Sequence, residues 1–442
     1  MTTDLTMETV ELLQSLIRNQ CVNDGQPDSG GETRNADLLR QYLAGPGLDL
    51  QTFDARPGRG SLVARIEGSD RSAPTICLMG HTDVVPVSPD GWSRDPFGGE
   101  LVDGEVWGRG AIDMLNLTAS MAVAFKHLAR TGWRPKGTLL YFGVADEEAG
   151  GVFGARWMVD NHWDAIASDY VLTEMGGWPH GGGKAVGVSI GEKGIAWRRL
   201  TVRGTPGHGS MPYRTDNAVV TAAEVVKRLA AFQPKARLDE LWVQRVHASD
   251  LPEETKLALL DPARLDETLA ELPMGTAKLL HACTHTTISP NVVHGGVKSN
   301  VIPDKVQIDV DIRTLPGVRG DDVNAMLREA VGDLADRIEI EVIFNDEASS
   351  SPTRNAMYET LEKHTQVVYP AARLLPELIV GATDSRFFRE KGTIAYGTGL
   401  FSPGVSFAQF ASRFHGHDER IDVDSLGLCV NYWLGVVNDM IG

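Results

Sequence analysis

The sequence predicts an α/β fold: a catalytic domain on a mostly parallel sheet, interrupted by an inserted α+β domain. Three observations predict it. Short apolar runs at 73–79, 138–144 and 170–172, the first two flanking a helical pattern, read as strands buried on both faces. The middle of the chain instead alternates apolar with polar residues, the habit of a sheet solvated on one side. A last apolar run at 393–396 restores the first habit, so the alternating part reads as an insertion.

Element by element, the opening stretch 8–19 puts Val10, Leu12, Leu13, Leu16 and Ile17 on one face of a helix. A second helix over 36–43 stops before the breaker Gly45-Pro46-Gly47. Strands at 73–79 and 138–144 enclose a helix over 117–128, and a third strand follows at 170–172. The insert opens near Gly194 with a strand over 195–202. Helices over 217–229 and 321–334 separate it from 306–313, VQIDVDIR, and 338–343, which alternate most clearly. Ser349-Ser350-Ser351-Pro352 reads as the linker back. The boundaries are therefore 1–193 and 348–442 for the catalytic domain and 194–347 for the insert. The charged stretch 234–272 reads as a helical elaboration of the insert with no role visible in its residues.

Composition excludes several function classes. A chain of 442 residues buries a large interior and needs no disulfide or metal merely to fold. Acidic residues outnumber basic ones 59 to 42, and a net charge of −17 repels phosphate backbones, so nucleic acid is excluded as a partner. No apolar run is long enough to cross a bilayer, and MTTDLTMETVELL carries acids where a signal peptide needs a basic region. Cys21, Cys77, Cys283 and Cys429 are dispersed without CxxC spacing, which points to a reducing, cytoplasmic location. No GxSxG elbow follows a strand, so serine chemistry is unsupported.

The acids and histidines fall where chemistry is expected. His81, the pair Glu147-Glu148, and Glu174 each follow the end of a buried strand, and ligands of open α/β sheets bind at strand carboxyl ends. One acid in such a place is ordinarily a solvated loop residue; three strand ends supplying ligand groups together are not. Asp113 lies in a glycine-rich turn before a helix, where capping is its ordinary use. Asp83, two residues after His81 in an extended segment, can reach the second ring nitrogen and fix the tautomer of a metal-bound imidazole. Adjacent side chains diverge, so one of Glu147 and Glu148 can bind metal while the other faces a water as base. Asp113, Glu147, Glu148 and Glu174 carry four negative charges, which two divalent cations neutralise; without them the carboxylates raise one another's pKa.

His81-Thr82-Asp83-Val84-Val85-Pro86, Gly108 to Met114, Asp146-Glu147-Glu148, Gly204-Thr205-Pro206-Gly207-His208-Gly209-Ser210 and His415-Gly416-His417-Asp418-Glu419 occur in that order. Together they resemble the M20 metallopeptidase family, over nearly the whole chain. The resemblance implies a zinc-hydrolase catalytic domain with a lid and dimerisation insert. It makes His81, Asp113 and Glu174 ligands of one zinc and Asp113, Glu148 and His415 ligands of a second, with cobalt or manganese as alternative metals. Glu147 becomes the general base and Asp83 the partner of His81. His415 fits the family motif better than His417, which is left without a role. His208, supplied by the other subunit of a homodimer, becomes a donor to the tetrahedral oxygen.

Substrate contacts follow the same resemblance. Asn300, in Ser299-Asn300-Val301-Ile302-Pro303, and Arg313 match positions near the substrate, and an Arg grips a carboxylate with two parallel hydrogen bonds. Gly381-Ala382-Thr383-Asp384-Ser385-Arg386 resembles a pocket-lining stretch in which Thr383 contacts substrate while Asp384 and Arg386 pair with each other. The family turn often continues Asp-Met-Lys or Asp-Met-Gly; here it reads Asp113-Met114-Leu115-Asn116, which leaves the ligand intact and alters the wall around it. Glu174, where relatives also carry Asp, goes with deacylases and carboxypeptidases. The expected reaction is two-metal hydrolysis of the amide of an N-acyl amino acid or short peptide with a free carboxylate. The alternatives are a dipeptidase or aminopeptidase of the same family, and a binding protein that keeps its metals without turnover.

Overall fold

The computed structural model describes residues 2–45, 48–249, 251–404 and 407–442. The breaker at Gly45-Pro46-Gly47 therefore lies largely outside the described residues. The chain opens with helices α1 (Thr2–Arg18) and α2 (Thr33–Leu43) and a hairpin, β1 (Asp49–Asp54) and β2 (Gly60–Ile66). Then come β3 (Ile76–His81), α3 (Leu115–Arg130), β4 (Leu139–Val144), β5 (Tyr170–Thr173) and β6 (Ala185–Glu192). Every residue of β3 and β4 is buried, as their unbroken apolar runs require.

A second sheet begins with β7 (Arg198–Arg203) and, after α4 (Ala218–Ala231), passes through α5 (Glu240–Ala248), α6 (Glu253–Leu259), α7 (Leu265–Glu271) and α8 (Met274–Thr284). It is completed by β8 (Thr287–Gly295), β9 (Lys305–Thr314), α9 (Gly320–Val331) and β10 (Ile338–Val342). In β9 alternate residues from Val306 to Thr314 are buried, and α4 and α9 cover that face through Val225, Leu229, Val323 and Leu327. The chain returns with α10 (Ala356–Val368), β11 (Arg373–Ile379), α11 (Ser385–Glu390), β12 (Ile394–Gly397) and α12 (Val423–Ile441).

The large sheet runs β1-β2-β4-β3-β5-β12-β6, with β11 beside β6. Its centre, β4-β3-β5-β12, is parallel, and the flanks are largely antiparallel. Helices α1, α3 and α12 pack one face through Leu13, Leu16, Phe125 and Trp433. Met158, Val159, Phe387 and Phe388 cover the other, over Cys77, Met79, Leu140 and Phe142. Each such large side chain contributes about 1.5–3 kcal/mol of burial. The α/β expectation holds. The stretch 195–202 differs, breaking into a two-residue strand and β7 around Trp197. The expected linker also differs: Ser349 and Ser350 pair with Glu192 and Gly191 as an edge strand, because β6 leaves its hydrogen-bonding groups open there.

Candidate functional site

The parallel centre aims three strand ends at one place. β3 ends on His81 itself, β4 runs into the Glu147–Ala149 turn, and β5 is followed directly by Glu174. Asp146 makes the turn possible by adopting φ +70°, a left-handed conformation that Asp tolerates better than most residues. A Cβ on Gly397, at the end of β12, would lie 1.8 Å from the Glu174 carbonyl oxygen, so glycine is needed for that close approach. Asp113 and His415 arrive on loops, His415 at φ +54°.

These residues form two adjoining sets. His81 Nε2 lies 3.1 Å from Asp113 Oδ1 and 3.6 Å from Glu174 Oε2. His415 Nε2 lies 2.8 Å from Asp113 Oδ2 and 3.5 Å from Glu148 Oε2. Asp113 thus offers one oxygen to each set, and within each the three candidate ligand atoms lie within 4.8 Å of one another. Nitrogen and carboxylate oxygen are the donors that zinc and its divalent neighbours take. Glu148 Oε1 is buried and has no hydrogen-bond partner among the described residues, so the second set has an acceptor to spare.

The cluster is short of positive charge. Burial and then Asp113 push Glu148 up to about 7; burial likewise raises Glu174 to about 7 despite the nearby His81. Glu147 is pushed well above the carboxylate range, by burial first and Glu174 second. Burial would lower His81, but Glu174 and Asp113 outweigh it and hold the imidazole protonated. Hydrogen bonds to Asp113 and Glu148 raise His415 to about 10. Divalent cations held by the two sets would neutralise the same carboxylates.

Asp83 serves the site differently from the sequence expectation. His81 Nδ1 donates to its backbone carbonyl at 3.0 Å, while the carboxylate stays 3.6 Å away. That carboxylate accepts the backbone N–H groups of Glu147 at 3.3 Å and Glu148 at 3.1 Å, so it anchors the acidic turn. Asn23, unremarked in the sequence, donates to Asp83 at 2.9 Å and to Asp146 at 3.2 Å. Arg59, fully buried, donates to Asn23 and pairs with Glu32 and Asp146. Glu419 accepts the N–H of Ile112 at 2.7 Å and of Asp113 at 3.2 Å, and pairs with Arg109 at 2.6 Å. It belonged to the His415 motif, whose spacing was the one signal that could have marked it.

The remaining sequence candidates fall elsewhere. Thr383 lines the site's cavity, with its backbone N–H and hydroxyl on Glu192. Arg313 donates to Asp311 at 2.8 Å on β9 and does not line the cavity. His208 and Asn300 lie together on the insert, where Gly209 N donates to Asn300 O; both are exposed and neither lines the cavity. Arg386 pairs with Asp346 and donates to Thr383 O and Gly150 O. Asp384 is left buried with no hydrogen bond among the described residues, contrary to the expected mutual pair. The ring of His417 packs against Gly91, away from both ligand sets.

The cavity, about 420 Å³, opens beside the carboxylates and is otherwise lined mostly by apolar groups, among them Met175, Trp178, Leu279, Phe410 and Phe414. No helix among the described residues is long and apolar enough to cross a membrane.

Residues 77–439 match the model of peptidase family M20/M25/M40. The chain is 28% identical to the N-fatty-acyl-amino acid synthase/hydrolase PM20D1 of Xenopus tropicalis, covering 98% of this chain and 86% of that one. It is 27% identical to a succinyl-diaminopimelate desuccinylase of Cereibacter sphaeroides, over 98% and 99% of the two chains. Among solved structures it resembles the M20 family metallo-carboxypeptidase Sso-CP2 of Sulfolobus solfataricus, with TM-score 0.71 at 18% identity over 97% and 98% of the chains.

Proposed function

Because the chain belongs to peptidase family M20/M25/M40, we propose that it hydrolyses the amide bond of an N-acyl amino acid, or of a short peptide, with a free carboxylate. One observation carries this reading: Asp113 offers an oxygen to each of two ligand sets, with half-buried Glu147 beside them in the lining of an apolar cavity. His81, Asp113 and Glu174 would hold one divalent cation and Asp113, Glu148 and His415 the other. The donor set favours zinc, with cobalt or manganese as substitutes. When bound, such cations polarise the scissile carbonyl and acidify a water.

The protein's own groups do the rest. Glu147, pushed above the ordinary carboxylate range by burial and Glu174, takes the proton of the attacking water and delivers it to the leaving nitrogen. Asp83 holds the tautomer of His81 through its carbonyl and holds the Glu147 turn through its carboxylate. Thr383 and the backbone around it face the substrate from the cavity wall. Asn300 and Arg313 lie on the insert outside the cavity, so a role as the grip on the free carboxylate calls for the insert, of this chain or of a second copy, to reach the site.

His208 is exposed, and its role as donor to the tetrahedral oxygen calls for a second copy of the chain. The insert offers a surface for one: β8 is a sheet edge, and Val293, Val297, Met211, Tyr213 and Val220 are all more than half exposed. A homodimer through this face is the assembly we assign. Sedimentation of wild type against Val293→Asp tests it; a wild-type monomer at micromolar concentration overturns it. Four buried, unpaired cysteines fit a reducing compartment, and we place the protein in the cytoplasm.

With Asp113, Glu148 and Glu174 holding the cations and Glu147 serving as base, an ammonium entering the apolar cavity would find Glu377 already paired with Arg245, which favours an N-acyl substrate over a free-amine dipeptide. The deciding experiment measures amine release by zinc-loaded protein from matched N-acyl amino acids and free-amine dipeptides, with free and amidated carboxyl ends. Turnover of carboxylate-bearing N-acyl substrates supports the reading. Turnover of dipeptides alone selects the dipeptidase or aminopeptidase alternative, and metal binding with no turnover selects a binding protein.

A further inference from the structure

Among the described residues, the lining of the apolar cavity holds one arginine–carboxylate pair outside the carboxylate cluster, and His180 comes within 4.0 Å of the same carboxylate. Arg245 Nη1 lies 3.0 Å from Glu377 Oε1, and the two side chains are only 11% and 9% exposed. Arg245 comes from α5, in the helical elaboration without a readable role, and Glu377 comes from β11, against which α5 packs.

Two walls connect this pair with the candidate ligands. One runs along the chain from Glu377 through Val380 to Thr383, beside Asp384, whose charge acts on Glu147. The other is an aromatic ladder from Trp178 to Phe410, Phe414 and His415, with centroid separations of 4.7, 6.2 and 4.8 Å. A methyl group on Gly187 would lie 2.6 Å from Glu377 Oε2 and 2.9 Å from Trp178 Nε1, so the ladder begins against the pair. It ends on a candidate metal ligand.

We propose that the Arg245–Glu377 pair closes the apolar arm of the cavity and limits the length of acyl chain the site accepts. This rests on the amide-hydrolase reading above. The pair is neutral as a whole, so it offers no net charge to a substrate carboxylate and the arm that reaches it is uncharged. Along the walls, each buried methylene strengthens binding about four-fold. At the pair the sign reverses. The guanidinium has five N–H donors and makes one hydrogen bond among the described residues, to Glu377. An alkyl tip arriving there displaces water from the other donors and replaces none of its bonds. The penalty is at least about ten-fold per stranded donor. The cavity, about 420 Å³ in volume, is walled by the pair, so binding should rise with chain length until the tip reaches Arg245 and fall beyond it.

The test is a series of N-acyl alanines, from acetyl to palmitoyl, on the zinc-loaded full-length protein, read as kcat/KM and, by calorimetry, as Kd. A rise with chain length followed by a fall of about ten-fold or more is expected. R245M/E377L, which strands no charge, should remove the fall, while R245K should keep it. On the wild type, at the length where the fall sets in, the ω-hydroxyacyl chain should outperform the plain acyl chain, because its tip gives Arg245 an acceptor; this arm does not depend on any variant folding. Turnover that keeps rising to palmitoyl, or a fall that R245M/E377L leaves in place, overturns the role of the pair while the hydrolase reading stands. Absence of all turnover overturns the hydrolase reading instead. The Kd series then decides the pair: a ceiling lifted in R245M/E377L supports it, and a flat profile overturns it.

Discussion

Replacing Glu419 with glutamine tests whether a residue that touches no substrate holds the candidate metal centre in shape. Glu419 is fully buried; one oxygen accepts the N–H groups of Ile112 and Asp113 while the other pairs with Arg109, itself 3% exposed. The amide keeps an acceptor for the backbone but turns its NH₂ towards the guanidinium, so Arg109 becomes an unpaired buried cation. Breaking such a pair costs about 3–5 kcal/mol. At ~2.1 cal/mol/K of unfolding entropy per residue, 442 residues give about 0.9 kcal/mol/K, so Tm should fall by about 3–5 °C. Because the same carboxylate fixes the backbone of Asp113, zinc affinity should fall about 10–100-fold as well. Scanning calorimetry and competition with a chromophoric chelator read the two effects. R109M/E419Q removes the stranded cation and should recover most of the Tm. An unchanged Tm and zinc affinity in E419Q would refute the reasoning outright.

Three further outcomes are expected. Glu147→Gln should lower amine release about 10²–10⁴-fold with bound metal unchanged by elemental analysis, and activity near wild type would remove Glu147 as the base. Chelation should leave the four carboxylates to repel one another. Each metal present at a thousand times its Kd contributes about 4 kcal/mol, so losing both should drop Tm by about 9 °C; an EDTA-insensitive Tm contradicts the two-cation reading. Lys193 is buried with its ammonium on the carbonyls of Ala282 and His285, and burial pushes its pKa down to about 7. Below that value it is charged in both states. Between about 7 and the ordinary ~10.4 the unfolded chain binds the extra proton, so stability rises with pH by up to about 1.4 kcal/mol per unit. Urea unfolding at pH 7 and 9 should show this rise in wild type and a flatter profile in Lys193→Met; parallel profiles would discard it.

What the sequence made legible shares one physical property: the signal is local. β3 and β4 are unbroken apolar runs because both faces are covered, and the residues that follow such runs reach the ligand-binding edge without further information. β9 is visible because one of its faces is covered and the other is not. β6 escaped notice because Ala185–Glu192 mixes glycine and serine with valine, and its burial comes from neighbours rather than from its own composition. The Ser349–Ser350 strand escaped for a related reason, since its pairing depends on an edge left open by β6.

The same division runs through the site. His81, Asp113, Glu148 and Glu174 stand in short motifs, whereas the groups that balance and orient them are remote in sequence. Glu419 is more than three hundred residues from Arg109, and Asn23 joins Asp83 to Asp146 across three separate elements. A buried carboxylate can be satisfied by any donor the fold brings near, so its partner leaves no mark of spacing. Specificity lies still further from local reading. Nothing in Glu240–Ala248 distinguishes Arg245 from a solvated helix arginine until α5 is laid against β11 and Glu377 is found beneath it. Metal-ligating chemistry recurs with little freedom in position and so writes motifs. The end of an acyl pocket can be built from any two elements that meet there, and it becomes readable only once the helix and the strand are seen together.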